Sequence, residues 1–205
     1  MNKQKNKQKN IIFDLGGVLL GLDGERCMQA FDALGCERVS EYVRLHLTTD
    51  LFYDIEVGRI STAEFCAEVR RIAGCTASDA DIVAAWNALL TEVSDARCAK
   101  LRELHGQGYR LFLLSNTNDM HWQRTLQMAP GAMALFTDVF LSYKMHLSKP
   151  DVRIFQEVLR QAQLNPAETL FIDDNADNCL AAASLGITTY QNHHINDWLH
   201  EDSLF

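Results

Sequence analysis

The sequence predicts an α/β protein, a doubly wound parallel sheet with an all-helical segment inserted after its first strand. Three observations carry that expectation. Four short apolar runs, 10–15 (NIIFDL), 110–116 (RLFLLSN), 138–143 (DVFLSY) and 169–175 (TLFIDDN), have the length of buried strands and bring polar residues to their ends. Segments of helical period separate the later runs, and an alternation of strand and helix favours a parallel sheet covered on both faces. Between 22 and 93 only helical patterning is found.

Taken in order, the first run breaks into a loop at Gly16-Gly17, with Asp14 at the strand's end. The insertion follows, with apolar stripes at Cys27, Phe31 and Leu34, at Phe65, Val69 and Ile72, and at Ile82, Val83, Trp86, Leu89, Leu90 and Val93. Its crossings to the core are expected near 20–23 and 92–95, where a hinge would open and close a site. Cys98, Leu101 and Leu104 then mark a helix before the second strand. A further helix is expected to begin just after Pro150, with Phe155, Val158, Leu159 and Ala162 on one face, and a last one to run over 176–185 and stop at Gly186. The organisation this implies is a disordered lysine-rich tail over 1–9, a core made of 10–21 and 94–205, and a helical cap over 22–93.

Composition narrows the function. The chain has 205 residues and a formal charge of -8, and four of its 19 basic residues (Lys3, Lys5, Lys7, Lys9) lie in a short stretch without acids. The remaining body is therefore more acidic than the whole, and it should repel nucleic acid and anionic lipid. The tail reads as a solvated terminus rather than a polyanion-binding arm. No apolar stretch approaches the roughly 20 residues of a membrane span, and the start lacks the apolar segment of a secretory signal, so a cytoplasmic location is expected. Six scattered cysteines without a C-x-x-C pair fit reduced, mostly buried residues better than a zinc site or a disulfide framework. No obligate protein partner is evident.

In parallel sheets ligands bind beyond the carboxyl ends of the strands, which is where the polar clusters fall. Each has a plain structural reading when taken alone. Asp14 and the pair Asp173-Asp174 could be turn formers, Ser115-Asn116 could cap the next helix, and Lys149 could be a surface charge. Together they describe a site. Several carboxylates gathered near Asp14 are costly unless a cation neutralises them, and hard oxygen ligands with open positions suit Mg2+. Ser115, the Asn116 backbone N–H at an expected helix start, and the Lys149 ammonium would then supply donors and charge for a phosphate.

Phe-Asp-Leu-Gly-Gly-Val-Leu at 13–19, Leu-Leu-Ser-Asn-Thr-Asn at 113–118, Ser-Lys-Pro at 148–150 and Phe-Ile-Asp-Asp-Asn at 171–175 resemble, in order, the four motifs of the haloacid dehalogenase (HAD) superfamily. The insertion between the first two matches the helical-cap subclass, whose core is Rossmann-like. The opening Asp-Leu-Gly-Gly, the Ser-Asn-Thr-Asn run and Asp-Asp-Asn-Ala-Asp-Asn at 173–178 are similar to a bacterial branch of the glucose-1-phosphate phosphatase type. The resemblance implies an Mg2+-dependent phosphatase for a small phosphorylated metabolite such as a sugar phosphate. In it Asp14 is the nucleophile and forms an aspartyl-phosphate, and Lys149 is the second catalytic group. Asp14, the Gly16 carbonyl, Asp173 and Asp174 hold the metal, directly or through water, while Ser115, Asn116 and Lys149 steady the phosphoryl group.

One position departs from that pattern. Where most phosphatases of the superfamily carry an acid two residues after the nucleophile, this chain has Gly16, which has no side chain to move a proton. Slow turnover, best on a good leaving group, is the expectation. Asp23, His121, His193 and His194 are possible substitutes, although Asp23 also reads as a helix cap and the histidines as surface residues. Asp177 and Asn178 are expected to order the metal loop from behind, and Trp86 to lie in the cap's own core. Gly16 also leaves room for a protein that binds phosphate without turning it over. A carbon–halogen hydrolase is the other rival, and the Asp173-Asp174 pair speaks against a metal-free site of that kind.

Overall fold

The computed structural model describes residues 8–39 and 51–205. Five parallel strands form one sheet in the order β3-β2-β1-β4-β5: β1 (Asn10–Phe13), β2 (Arg110–Ser115), β3 (Asp138–Leu141), β4 (Thr169–Asp173) and β5 (Thr188–Gln191). Successive side chains on a strand point to opposite faces, and here each face has its own core. On one side Ile11, Phe13, Leu111, Leu113, Leu170 and Ile172 pack with Leu101 and Leu104 of α5 (Asp95–Gly106) and with Trp122 of α6 (Asp119–Met128). On the other, Ile12, Phe112, Leu114 and Phe171 pack with Ile154, Phe155 and Val158 of α9 (Val152–Gln161) and with Ala182 of α10 (Ala176–Ala183). The short helices α7 (Pro130–Met133) and α8 (Ser142–Met145) flank β3.

Among the described residues, the helices of the insertion include α1 (Gly24–Asp32), α2 (Leu51–Glu56), α3 (Thr62–Ala73) and α4 (Asp79–Asn87). Their stripes meet in a separate cluster that includes Cys27, Phe31, Phe52, Phe65, Val69, Ile82 and Trp86, joined from the core by Met120 of α6. Caps fix their ends. Asp23 accepts the Arg26 amide at 2.9 Å, and Ser61 and Glu64 form a reciprocal capping box. The two crossings are tied to each other by Thr91 N–H to the Gly21 carbonyl (2.9 Å) and Asp23 N–H to the Leu89 carbonyl (2.8 Å). Arg26 of α1 adds donors to the carbonyls of Ala88 (2.6 Å) and Leu90.

Several details differ from the sequence expectations. The fifth strand was not expected, because Thr188–Gln191 is a short polar edge without an apolar run. The last stripe of the insertion stops being a helix at Asn87, and Leu90 instead pairs with Leu22 in an isolated bridge and joins the sheet-side core. The helix expected just after Pro150 does begin there, as α9 with Asp151 for its cap, whose carboxylate accepts the Arg153 amide at 2.9 Å. Of the expected tail, residues 1–7 lie outside the described residues. Lys9, by contrast, already belongs to the core, its amide donating to the Glu168 carbonyl (2.8 Å) and its ammonium to the Glu168 carboxylate (2.7 Å). All six cysteines are free and four of them are buried. Among the described residues no helix is long and apolar enough to cross a membrane.

Candidate active site

The register of the sheet gathers the site. Phe13 pairs with Leu113 on one side and Ile172 on the other, so Asp14, Ser115 and Asp173 emerge together where β1, β2 and β4 end. Lys149, from the loop before α9, reaches into this point. Its ammonium lies 2.8 Å from Asp14 Oδ1 and 2.6 Å from Asp173 Oδ2, and its side chain is 1% exposed. Carboxylate oxygens of Asp14, Asp173 and Asp174 all lie within 4.8 Å of one another.

The electrostatics follow from this crowding. Burial pushes the Asp14 carboxyl up to about 7, and Asp173 adds repulsion, while Lys149 pulls in the opposite direction. Asp174, which reaches solvent, is raised by desolvation and then by Asp173. Burial alone would lower Lys149, but attraction and hydrogen bonds from Asp14 and Asp173 outweigh it and hold the ammonium charged. Three acids against one lysine leave a local deficit of positive charge. That deficit, all-oxygen donors and an exposed Asp174 are what a hard divalent cation requires.

The three acids are not equivalent. Both oxygens of Asp173 are occupied: Oδ1 accepts from the Asn175 amide (2.8 Å) and Asn178 Nδ2 (2.9 Å), and Oδ2 accepts from Lys149 and Asn178 Nδ2 (3.1 Å). Asp173 is therefore placed to orient Lys149. Asp14 Oδ1 accepts the Leu15 amide at 2.7 Å as well as Lys149, and its second oxygen has no protein donor among the described residues. Gly17 sits tight beneath the cluster at φ +71, and a Cβ there would lie 2.4 Å from Asp174 Oδ2. Glycine is what lets the backbone pass so close to that acid.

The other expected residues divide. Ser115 is buried and its hydroxyl makes only a 3.4 Å contact to the next carbonyl. Asn116 does not stand at a helix start, since α6 begins three residues later with Asn118 as its cap. Its side chain instead clasps the Lys149 backbone, accepting from its N–H and donating to its carbonyl, both at 2.9 Å. Asn178 does support the acidic loop, whereas the exposed Asp177 contributes only its amide to the Asn175 cap. At Gly16 the three atoms nearest to where a Cβ would stand all belong to Leu22, with Cδ1 at 3.0 Å.

The suggested substitutes have other surroundings. Asp23 caps α1, and His193 and His194 are exposed. His121 corrects the expectation of a surface residue. It is buried, stacks on Trp86 at 4.6 Å, and burial lowers it to about 4, so it is neutral at ordinary pH. Trp86 is itself 4% exposed, in the cluster of the insertion. The sequence reading missed Asn192, a fully buried residue just beyond β5 whose amide donates to the Gly17 carbonyl at 3.0 Å while its Oδ1 accepts the Trp198 N–H at 3.1 Å. It also missed Trp198, whose indole N–H donates to the Val18 carbonyl at 3.0 Å. Both act on the backbone of the loop that follows Asp14 from 175 residues or more away, and the only local signal was a polar residue at a strand end.

Comparison with known proteins agrees with this architecture. A D-ribitol-5-phosphate phosphatase of Bacteroides thetaiotaomicron is 30% identical over 198 residues, covering 94% of this chain and 96% of that one. A HAD family enzyme of the same bacterium, solved in complex with magnesium and inorganic phosphate, superposes with a TM-score of 0.89 at 38% identity, over 94% of this chain and 98% of that one. A HAD-like family hydrolase of Porphyromonas gingivalis gives 0.83 at 32% identity, over 96% and 97%. The sequence profile of the haloacid dehalogenase-like hydrolases matches residues 8–186, and with these relatives beside it the chain belongs to that family.

Proposed function

We propose that this protein is an Mg2+-dependent phosphatase acting on a small phosphorylated sugar alcohol or sugar. The observation that carries the reading is the bridging of Asp14 and Asp173 by a buried lysine, with Asp174 beside them at the carboxyl edge of the sheet. The relative that hydrolyses D-ribitol 5-phosphate, and the similar enzyme bound to magnesium and phosphate, support the choice of substrate class and ion.

In this reading Asp14 attacks phosphorus with its uncommitted oxygen, the bond to the leaving oxygen breaks, and a water then cleaves the aspartyl-phosphate to regenerate the carboxylate. Asp14, Asp174 and the Gly16 carbonyl would hold the ion, with Asp173 reaching it through water. When bound, the ion offsets charge on the phosphoryl oxygens and on the acids. Lys149 supplies a fixed positive charge that Asp173 aims, and Ser115 with the Asn116 backbone N–H offers donors to the transferring group. Because Asn116 clasps the Lys149 backbone, its side chain positions that lysine rather than the substrate. The helices between the crossings, 22–93, serve as the cap that encloses the substrate.

The test is a screen of phosphorylated sugar alcohols and sugars, D-ribitol 5-phosphate included, with Mg2+, with chelator, and with the Asp14→Asn variant. Phosphate release that needs both the ion and Asp14 is expected. Release unaffected by chelator, or retained by the variant, would overturn the reading.

A further inference from the structure

The inserted helices meet the core through buried polar contacts, and two of these end on the loop that carries Ser115 and Asn116. The first runs through His121. Its Nε2 lies 3.1 Å from the Trp86 carbonyl at the end of α4, and its Nδ1 lies 3.3 Å from Asn118 Nδ2. A carbonyl only accepts, so Nε2 carries the hydrogen and Nδ1 accepts from the Asn118 amide. The depressed basicity of the ring keeps it in that single neutral form. Asn118 in turn caps α6, its Oδ1 accepting the His121 amide at 3.1 Å.

The second contact runs through Ser142, which is fully buried. Its hydroxyl accepts the Thr117 amide at 2.9 Å and lies 3.0 Å from the Thr117 carbonyl and 2.5 Å from the Glu56 carbonyl at the end of α2. Close packing surrounds this point. A Cβ on Gly58 would lie 2.2 Å from the Tyr143 carbonyl, and His146 Nδ1 lies 3.0 Å from the Val57 carbonyl. Two ends of inserted helices, Glu56 and Trp86, are thus each joined by one core side chain to the loop of residues 115–118.

We infer that His121 and Ser142 are positioning residues that register the inserted helices on the phosphate-binding loop, so that seating of the helices and ordering of Thr117 and Asn118 occur together. This rests on the proposed phosphatase activity for its kinetic consequence but not for its structural one. Neither residue touches the reacting atoms. A substrate whose alcohol portion must be enclosed needs the helices seated as well as the loop ordered, whereas a minimal phosphate donor needs only the loop and the groups at the reacting centre.

The experiment compares wild type, His121→Phe, His121→Gln and Ser142→Ala on D-ribitol 5-phosphate and on acetyl phosphate. Phe keeps the ring and loses both polar contacts, whereas Gln keeps a neutral donor for the Trp86 carbonyl. His121→Phe and Ser142→Ala should raise KM for the pentitol phosphate about tenfold while kcat/KM for acetyl phosphate, which still uses the donors of Ser115 and Asn116, falls only about threefold, and His121→Gln should recover most of both losses. A loss equal for both substrates, or a fall in Tm with KM unchanged, would overturn the inference. Hydrogen exchange decides it without turnover: His121→Phe should speed exchange at the amides of 115–118, and changes confined to 86–90 and 119–124 would refute it. A wild type inactive on every ester would sink the phosphatase reading and leave the exchange result standing.

Discussion

Gly16 and Gly17 are neighbours with opposite tolerances. At Gly17 the left-handed backbone and the approach of Asp174 leave no place for a side chain. At Gly16 the backbone lies outside the left-handed region, and what a Cβ meets is the end of Leu22, a flexible side chain that is 53% exposed. An acid can therefore be accommodated where the proposed reaction lacks one. Gly16→Asp should raise kcat on D-ribitol 5-phosphate by about tenfold or more, since a positioned general acid is commonly worth 10²–10⁴-fold. A steady-state assay giving an unchanged or lower rate would show that this position is not where proton transfer is limiting. The identities of the acids and of Lys149 were legible in the sequence because their residue types admit few chemical uses together. Their inequality was not. Only the hydrogen bonds of Asn175 and Asn178 reveal that Asp173 is spent on orienting a lysine, and only the clasp on Lys149 reveals what the Asn116 side chain does.

At the scale of elements, hydrophobic period served well wherever an element is buried on a whole face. β1, β2 and β4 are apolar on alternate faces because helices cover both sides, and their runs were plain. It failed at edges and joints. β5 pairs through its backbone with only half-buried or exposed side chains, so nothing in Thr188–Gln191 announces a strand. The stripe continuing past Asn87 is apolar because Leu90 enters the sheet-side core after the helix has ended, and period cannot distinguish a helical turn from a chain crossing between two cores. The Asp23 cap before α1 was legible because an N-terminal turn needs an acceptor whatever it packs against, and Ser61 with Glu64, not singled out in the sequence, has the same side-chain chemistry.

For the molecule as a whole, two buried groups pull stability in opposite directions with pH. His121 titrates near 6.5 when unfolded and about 4 in the fold, so the unfolded chain takes up its proton first as pH falls. The stability it confers is complete above about 6.5 and is lost progressively toward pH 4, by on the order of 3 kcal/mol. Asp14, raised from 3.8 to about 7 without a cation, gains its proton earlier in the folded state, and its contribution therefore falls as pH rises through that window. Comparing wild type with His121→Phe isolates the histidine. Urea midpoints should fall more steeply between pH 7 and pH 4.5 in the wild type than in the variant, and parallel slopes would contradict the buried neutral ring.

Chain segments distant in sequence converge on the Asp14 carboxylate, the proposed nucleophile. Rapid quenching of the wild type with Mg2+ and D-ribitol 5-phosphate radiolabelled at phosphorus, followed by peptide mapping, shows whether that carboxylate is phosphorylated. Acid-stable label is expected on the peptide bearing Asp14 in the wild type, and none in Asp14→Asn. Multiple turnovers without label on that peptide, or label on another residue, would contradict it.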